Sequence, residues 1–147
     1  MSASRCAAAI ACVVLLIAPA LSAKVAVDFY GEALCPFCSR FTTTTVAPLF
    51  ANNVSDLMTF TYVPWGNAQL DSATGAVTCQ HGPQECLLNT LISCVQDIIP
   101  AQSAWFPAVD CIETVGFSER DVQKVILKCV PSSGGVAQRV ADCYGGE

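Results

Sequence analysis

The pattern of apolar and polar positions predicts strands in the first half of the chain and helices in the second. Residues 25–30 and 57–65 are rich in β-branched and aromatic side chains, which favours two strands. Between them, residues 37–51 carry apolar side chains at imperfect helical spacing, and Pro48 should kink this helix. Strand, helix and strand in this order predict a βαβ unit with parallel strands.

Small and polar residues over 67–78 predict a surface loop, and the spacing beyond it is helical. Helices are predicted over residues 85–99, over residues 101–115 and from Ser118 onward, with a short final turn over residues 136–144. Pro107 should interrupt the second of these helices. Asp121, three residues after Ser118, should complete a partial capping box at the start of the third.

The first 23 residues have the composition of a secretory signal peptide. Arg5 precedes thirteen residues without a charged side chain (6–18), and small-residue cleavage patterns end at Ala20 and Ala23. A retained membrane anchor is the alternative, but a spanning helix needs about 20 apolar residues. We therefore expect a mature domain of residues 24–147, with no membrane segment after signal removal.

The charge and cysteine content indicate an acidic protein of an oxidising compartment. Seven basic residues stand against twelve acidic ones, and removing Arg5 with the leader leaves six against twelve, a net charge of −6. The absence of a basic cluster argues against a nucleic-acid partner. Eight of the ten cysteines remain after residue 23, an even number typical of a disulfide framework. Asn53 begins an N-glycosylation sequon, which requires passage through the secretory lumen.

Cys35 and Cys38, in the run Cys35-Pro36-Phe37-Cys38, are the candidate catalytic residues. The first cysteine ends a predicted strand and the second lies one turn into a helix, so the Cys35 thiol lies at a helix N-terminus that favours a thiolate. A thiolate there can attack a disulfide, and Cys38 can resolve the mixed disulfide. The alternatives are a permanently closed disulfide or a zinc site. We expect no metal, because the other donors lie far along the chain.

A second group of cysteines falls in the helical half. Cys86 and Cys94 are eight residues apart on a predicted helix, about 12 Å along its axis, whereas a disulfide requires Cα atoms within about 7 Å. They cannot pair with each other, and Cys79, Cys111 and Cys129 are their candidate partners; the connectivity stays open.

His81 is the only histidine in the chain. It could donate a proton or tune a nearby thiol, but we favour a role in the turn before the helix. Glu85 and Asn89 are interpreted as a capping residue and a buried hydrogen-bonding residue.

These residues resemble a known family. The run Cys79-Gln80-His81-Gly82, Glu85-Cys86, Asn89 and Cys94 matches the signature of the gamma-interferon-inducible lysosomal thiol reductase family, and so do the Cys35–Cys38 motif and residues 62–68. The resemblance covers about residues 24–130. It implies a thioredoxin-like fold with a helical insertion (about 79–143) stapled by disulfides, in which Cys35 and Cys38 are the redox pair and the signature cysteines are structural.

The same resemblance implies an enzyme that reduces disulfides in protein substrates, without a bound cofactor and with an external small thiol as reductant. Secretion, or the lumen of a lysosome or vacuole, is the expected location.

The end of the chain departs from the family pattern. A thioredoxin-like domain should return with a proline turn, two strands and a helix, but no strand-forming run follows Pro131. We therefore expect a fold truncated before its final strands and helix, with a two-stranded sheet and an exposed edge. Cys143, in the divergent tail, is expected to be unpaired or intermolecular. A catalytically impaired relative and a secreted, disulfide-rich helical binding module remain alternative functions.

Overall fold

The computed structural model describes residues 23–146, so the predicted signal peptide lies outside the described residues except for Ala23. The strands are β1 (Val25–Tyr30), β2 (Met58–Val63), β3 (Gln69–Leu70) and β4 (Val77–Thr78). The α-helices are α1 (Pro36–Phe41), α2 (Ala47–Ala51), α3 (Pro83–Ile98), α4 (Gln102–Val115), α5 (Val122–Cys129) and α6 (Val136–Gly145). This mixture of helices and small sheets is consistent with the predicted α/β class.

The predicted βαβ unit is confirmed. β1 and β2 are parallel and in register from the pair Val25 and Met58 to the pair Tyr30 and Val63. α1 and α2 form the crossover, joined by a π-helical turn over Thr42–Val46. The predicted kink at Pro48 therefore takes the form of a wider turn just before the proline, which leaves room for its ring.

Side-chain amides of the helices cover the outer edge of β2. Gln96 of α3 accepts a hydrogen bond from the Tyr62 backbone N–H (3.2 Å) and donates to the Tyr62 carbonyl (2.9 Å). Gln102 of α4 accepts a hydrogen bond from the Phe60 backbone N–H (2.9 Å) and donates to the Met58 carbonyl (3.0 Å). Because these backbone groups are already paired, β2 offers little of its edge to another strand.

The helical half buries its apolar face against β2. Leu88, Leu91, Ile92 and Val95 of α3 are fully buried, and Val109 and Ile112 of α4 face them from the next helix. This core fixes α3 and α4 against the sheet end where β1 leads into α1. Within residues 23–146, none of the helices combines the length and apolar character that a bilayer crossing requires.

Two predicted features of the middle of the chain were wrong. Residues 67–78 contain a short antiparallel hairpin of β3 and β4, closed by hydrogen bonds around Asp71, instead of loop alone. α4 also runs through Pro107 without a break. Pro107 has no N–H to donate to the carbonyl of Ser103, one helical turn earlier. Both residues face solvent, so water can bind that carbonyl while the buried face of the helix stays packed.

The start of α5 also differs from the prediction. Asp121 is itself the N-cap, and its carboxylate accepts from the backbone N–H groups of Gln123 (3.0 Å) and Lys124 (3.4 Å). Ser118 lies before the helix. The helix therefore begins three residues later than a cap at Ser118 would give, and the aspartate satisfies two of its free N–H groups.

Candidate functional site

Cys35 and Cys38 lie at the junction of strand and helix that the sequence predicts. Cys35 is the N-cap of α1, and its Sγ accepts a hydrogen bond from the Cys38 backbone N–H at 3.4 Å. Both thiols are half-buried and free of a disulfide. Phe37 between them is 82% exposed, which leaves an apolar ring on the surface beside the thiols.

The two thiols have different environments. Burial, followed by a hydrogen bond from the Cys38 thiol to Cys35, raises the pKa of Cys38 to about 12. Cys38 therefore keeps its proton at physiological pH.

The loop that precedes Cys35 is held in an unusual conformation. Leu34 has a φ of 64°, in the left-handed region that residues other than glycine seldom adopt. The Ala33 N–H on its N-terminal side donates to Asn89 Oδ1 of α3 at 2.9 Å, and Leu34 itself is buried. A contact from the helical half thus fixes the backbone that presents Cys35.

The signature segment forms one hydrogen-bonded chain that ends at this loop. The His81 backbone N–H donates to Glu85 Oε2 at 2.6 Å, and the His81 ring Nδ1 lies 2.9 Å from the same oxygen. Asn89 Nδ2 donates to Glu85 Oε1 at 3.0 Å, and Asn89 Oδ1 holds Ala33. The disulfide between Cys79 and Cys86 closes this turn onto α3.

Glu32 completes the surroundings of Cys35. Its side chain is 2% exposed, its Oε1 accepts from Asn67 Nδ2 at 2.9 Å, and its Oε2 has no partner among the described residues. The His81 Nδ1 lies 4.0 Å from Glu32 Oε1. One donor atom each from Glu32, Cys35 and His81 all lie within 4.8 Å of one another.

A second buried carboxylate lies on the Cys38 side. Glu113 of α4 accepts a hydrogen bond from the Tyr62 hydroxyl, and its backbone carbonyl accepts from Ser39 Oγ at 2.9 Å. Gly31 leaves the space that the Tyr62 hydroxyl occupies, since a Cβ there would lie 2.6 Å from that oxygen. Burial raises the pKa of Glu113 to about 7 and also raises the pKa of Tyr62.

The other cysteines of the described residues form three disulfides. Cys79 pairs with Cys86, Cys94 with Cys143, and Cys111 with Cys129. The expectation that Cys143 is unpaired or intermolecular was wrong, because α6 packs along α3 and brings Cys143 to Cys94. Cys86 and Cys94 take different partners, as the helix geometry requires.

The structure also places the two remaining candidate residues, His81 and Asn53. His81 lies in the turn before α3, as predicted, and the same turn also places it beside Cys35. Asn53 is exposed in the turn after α2. Sequence reasoning missed Glu32, Tyr62 and Glu113; the one local signal was the position of Glu32, three residues before Cys35.

Comparisons with known proteins agree on one family. A model of the gamma interferon inducible lysosomal thiol reductase family matches residues 26–133. A gamma-interferon-responsive lysosomal thiol protein of Arabidopsis thaliana is 34% identical over 129 residues, 86% of this chain and 50% of the relative. The gamma-interferon-inducible lysosomal thiol reductase of Mus musculus is 34% identical over 111 residues, 74% of this chain and 42% of the relative. GILT-like protein 1 of Drosophila melanogaster is 40% identical over 91 residues, 60% of this chain and 36% of the relative. The chain thus spans half or less of the length of these relatives.

Proposed function

The chain belongs to the gamma interferon inducible lysosomal thiol reductase family, and from this premise we propose that it reduces protein disulfides through Cys35 and Cys38. The observation that carries the proposal is the division of the cysteines: Cys35 and Cys38 are free at a strand–helix junction, and the other six described cysteines are paired. A strand followed by a Cys-x-x-Cys turn and a helix also supports a thioredoxin-like unit for β1, α1, α2 and β2.

The different environments of the two thiols support different roles for them in the proposed reaction. The Cys35 thiolate attacks a substrate disulfide, forms a bond to one substrate sulfur and releases the other as a thiolate, which takes up a proton. Cys38 then loses its proton and attacks Cys35 Sγ, which releases the second substrate sulfur and leaves a Cys35–Cys38 disulfide. An external thiol reductant returns both cysteines to the thiol form. No bound cofactor enters this cycle.

We also propose where the protein works. A secretory leader at residues 1–23, the disulfides and an exposed Asn53 acceptor fit secretion or a lysosomal or vacuolar lumen. Protein substrates with accessible disulfides are the expected partners, and Phe37 is the apolar contact that would receive them.

Reduction of insulin disulfides, with a small thiol as the electron source, tests the proposal. Cys35→Ser should lower the turnover rate at least 100-fold, because it removes the attacking sulfur. Cys38→Ser should also stop turnover but should accumulate a mixed disulfide between Cys35 and the substrate, which is visible on a non-reducing gel. Gln138→Ala, on the exposed side of α6, is the matched control and should keep wild-type turnover.

A folded wild-type protein that shows no turnover and no mixed disulfide would contradict the proposal. Circular dichroism establishes folding in each case. The absence of both turnover and mixed disulfide in a folded protein would favour the catalytically impaired relative or the helical binding module.

A further inference from the structure

We propose that the reduced protein binds a zinc ion between Glu32, Cys35 and His81, and that the bound zinc inhibits thiol exchange. The binding site stands on its own geometry, whereas the inhibition rests on the proposed function. Sequence reasoning disfavoured a metal because the donors lie far apart along the chain, but the fold brings a carboxylate and an imidazole next to the Cys35 thiol.

The three donor atoms lie close enough together to bind one zinc ion after small movements. Their donor atoms lie within 4.8 Å of one another. Ligands of tetrahedral zinc at their usual bond lengths are about 3.5 Å apart. Closing this difference requires movements of about 1 Å, which Cys35 and His81 can make because both keep solvent exposure, 29% for the His81 side chain.

Glu32 is the fixed member of the site. Its side chain is almost fully buried, Asn67 holds Oε1 at 2.9 Å, and Oε2 has no hydrogen-bond partner in the described part of the chain. A buried carboxylate oxygen without a partner is unfavourable, because it has lost its water. A cation bound at Oε2 would supply the missing interaction.

The charge around Cys35 also favours a cation. Glu32 and Glu85 are both buried, and in the described residues His81 is the one positively chargeable side chain within 4.0 Å of either. Once Cys35 is a thiolate, negative groups outnumber positive ones here. A divalent ion balances this cluster, whereas no lysine or arginine of residues 23–146 forms an ion pair with it.

The residues behind the donors resemble the supporting groups of metal sites. Glu85 Oε2 holds the His81 ring through Nδ1 at 2.9 Å, and Asn89 in turn holds Glu85. Because Glu85 holds Nδ1, Nε2 is the His81 nitrogen left to bind zinc, and a carboxylate behind a histidine ligand fixes the ring orientation and raises its basicity. A thiolate, an imidazole and a carboxylate together suit zinc, whereas magnesium and calcium prefer oxygen ligands alone.

Zinc at this site would occupy the attacking sulfur. With Cys35 as a ligand, Sγ shares its negative charge with the zinc ion and the ion blocks the approach of a substrate disulfide, so exchange slows until the metal leaves. In the oxidised protein Cys35 is bonded to Cys38 and no thiolate is present. The site therefore exists in the reduced state only.

Titration with Co²⁺ and Zn²⁺ at neutral pH tests the proposal on the full chain. The reduced protein should bind one Co²⁺ with a thiolate-to-cobalt charge-transfer absorption, and Zn²⁺ should displace it. Cys35→Ser should lose this absorption, and the oxidised protein should show none. His81→Ala and Glu32→Gln should each weaken Zn²⁺ binding at least 10-fold by calorimetry, and Glu119→Gln is the matched surface control that should bind normally.

The same titration can overturn the proposal. Binding that persists in His81→Ala and Glu32→Gln but is lost in Cys38→Ser would show ordinary chelation by two thiols. If Glu32→Gln fails to fold, His81→Ala decides alone. Insulin reduction that continues at saturating Zn²⁺ would refute the inhibition while leaving the proposed function intact. Zn²⁺ binding by a protein that shows no turnover even in the absence of metal would support the site and refute the proposed function.

Discussion

Glu113 shows how one buried side chain can set the pH at which this protein is most stable. It lies in the core against Tyr62, without a lysine or arginine partner among the described residues. Burial is the largest cause that raises its pKa from 4.5 to about 7, so the folded protein favours the protonated carboxyl. A group whose pKa is higher in the folded state stabilises the fold at low pH, and this stabilisation is lost as the pH rises through the folded value.

Glu113→Gln should remove part of the pH dependence of stability. We expect the wild-type free energy of unfolding to fall by up to about 3 kcal/mol between pH 4.5 and pH 7, relative to the variant, because glutamine mimics the protonated acid. Urea unfolding at a series of pH values measures this difference. Asp97→Asn, an exposed carboxylate on α3, is the control. Parallel wild-type and Glu113→Gln curves across this range would show that Glu113 is not responsible.

At the residue scale, the sequence could predict what depends on local spacing. Cys35 and Cys38 are recognisable because a strand, a Cys-x-x-Cys turn and a helix follow one another directly. Glu113 is not recognisable in this way, because it lies 74 positions after Ser39 in the sequence and only the fold brings the two residues into contact. His81 was interpreted as a turn residue, which it is; its place beside Cys35 depends on how α3 packs.

At the scale of elements, α3 controls the loop that presents Cys35. Asn89 is fully buried, accepts from the Ala33 N–H and donates to Glu85, so one side chain joins the helix, the signature turn and the loop before Cys35. The left-handed Leu34 follows directly after Ala33. The strained backbone conformation therefore depends on a contact from α3.

Asn89→Ala should destabilise the fold and disturb the redox pair together. Loss of the amide leaves the Ala33 N–H and a Glu85 oxygen without partners, so we expect a loss of about 2–4 kcal/mol in unfolding free energy. Thr90→Ala, which removes a hydroxyl bonded within α3 alone, should cost less than about 1 kcal/mol. Urea unfolding measures both variants, and alkylation of Cys35 should slow in Asn89→Ala alone. Equal losses in the two variants would contradict this account.

Element types were more predictable than their ends and interruptions. The parallel βαβ unit follows from the β-branched and aromatic content of its strands and their order around a helical segment, and the long helix α3 follows from helical spacing bounded by prolines; both are present. The continuity of α4 through Pro107 depends on which face of the helix meets solvent, and the β3–β4 hairpin forms from exposed residues with no apolar alternation. Neither feature leaves a periodic signal along the chain.

At the scale of the whole molecule, three disulfides hold the helical half while Cys35 and Cys38 stay free. The bond between Cys94 and Cys143 joins α3 to the last helix across 49 positions, and the bond between Cys111 and Cys129 joins α4 to α5. Helix geometry could exclude one pairing, but the actual connectivity required the packing of α6, which the sequence does not reveal. Cys79 and Cys94 are buried, so reductants reach the Cys79–Cys86 and Cys94–Cys143 disulfides less easily than the half-buried Cys35.

Differential alkylation with peptide mass spectrometry tests the division of the cysteines most directly. After mild reduction of the folded protein, Cys35 and Cys38 alone should carry the first label. The pairs Cys79–Cys86, Cys94–Cys143 and Cys111–Cys129 should be labelled only after denaturation and full reduction. If Cys35 and Cys38 stay bonded while one of these three disulfides opens first, the assignment of the redox pair is wrong.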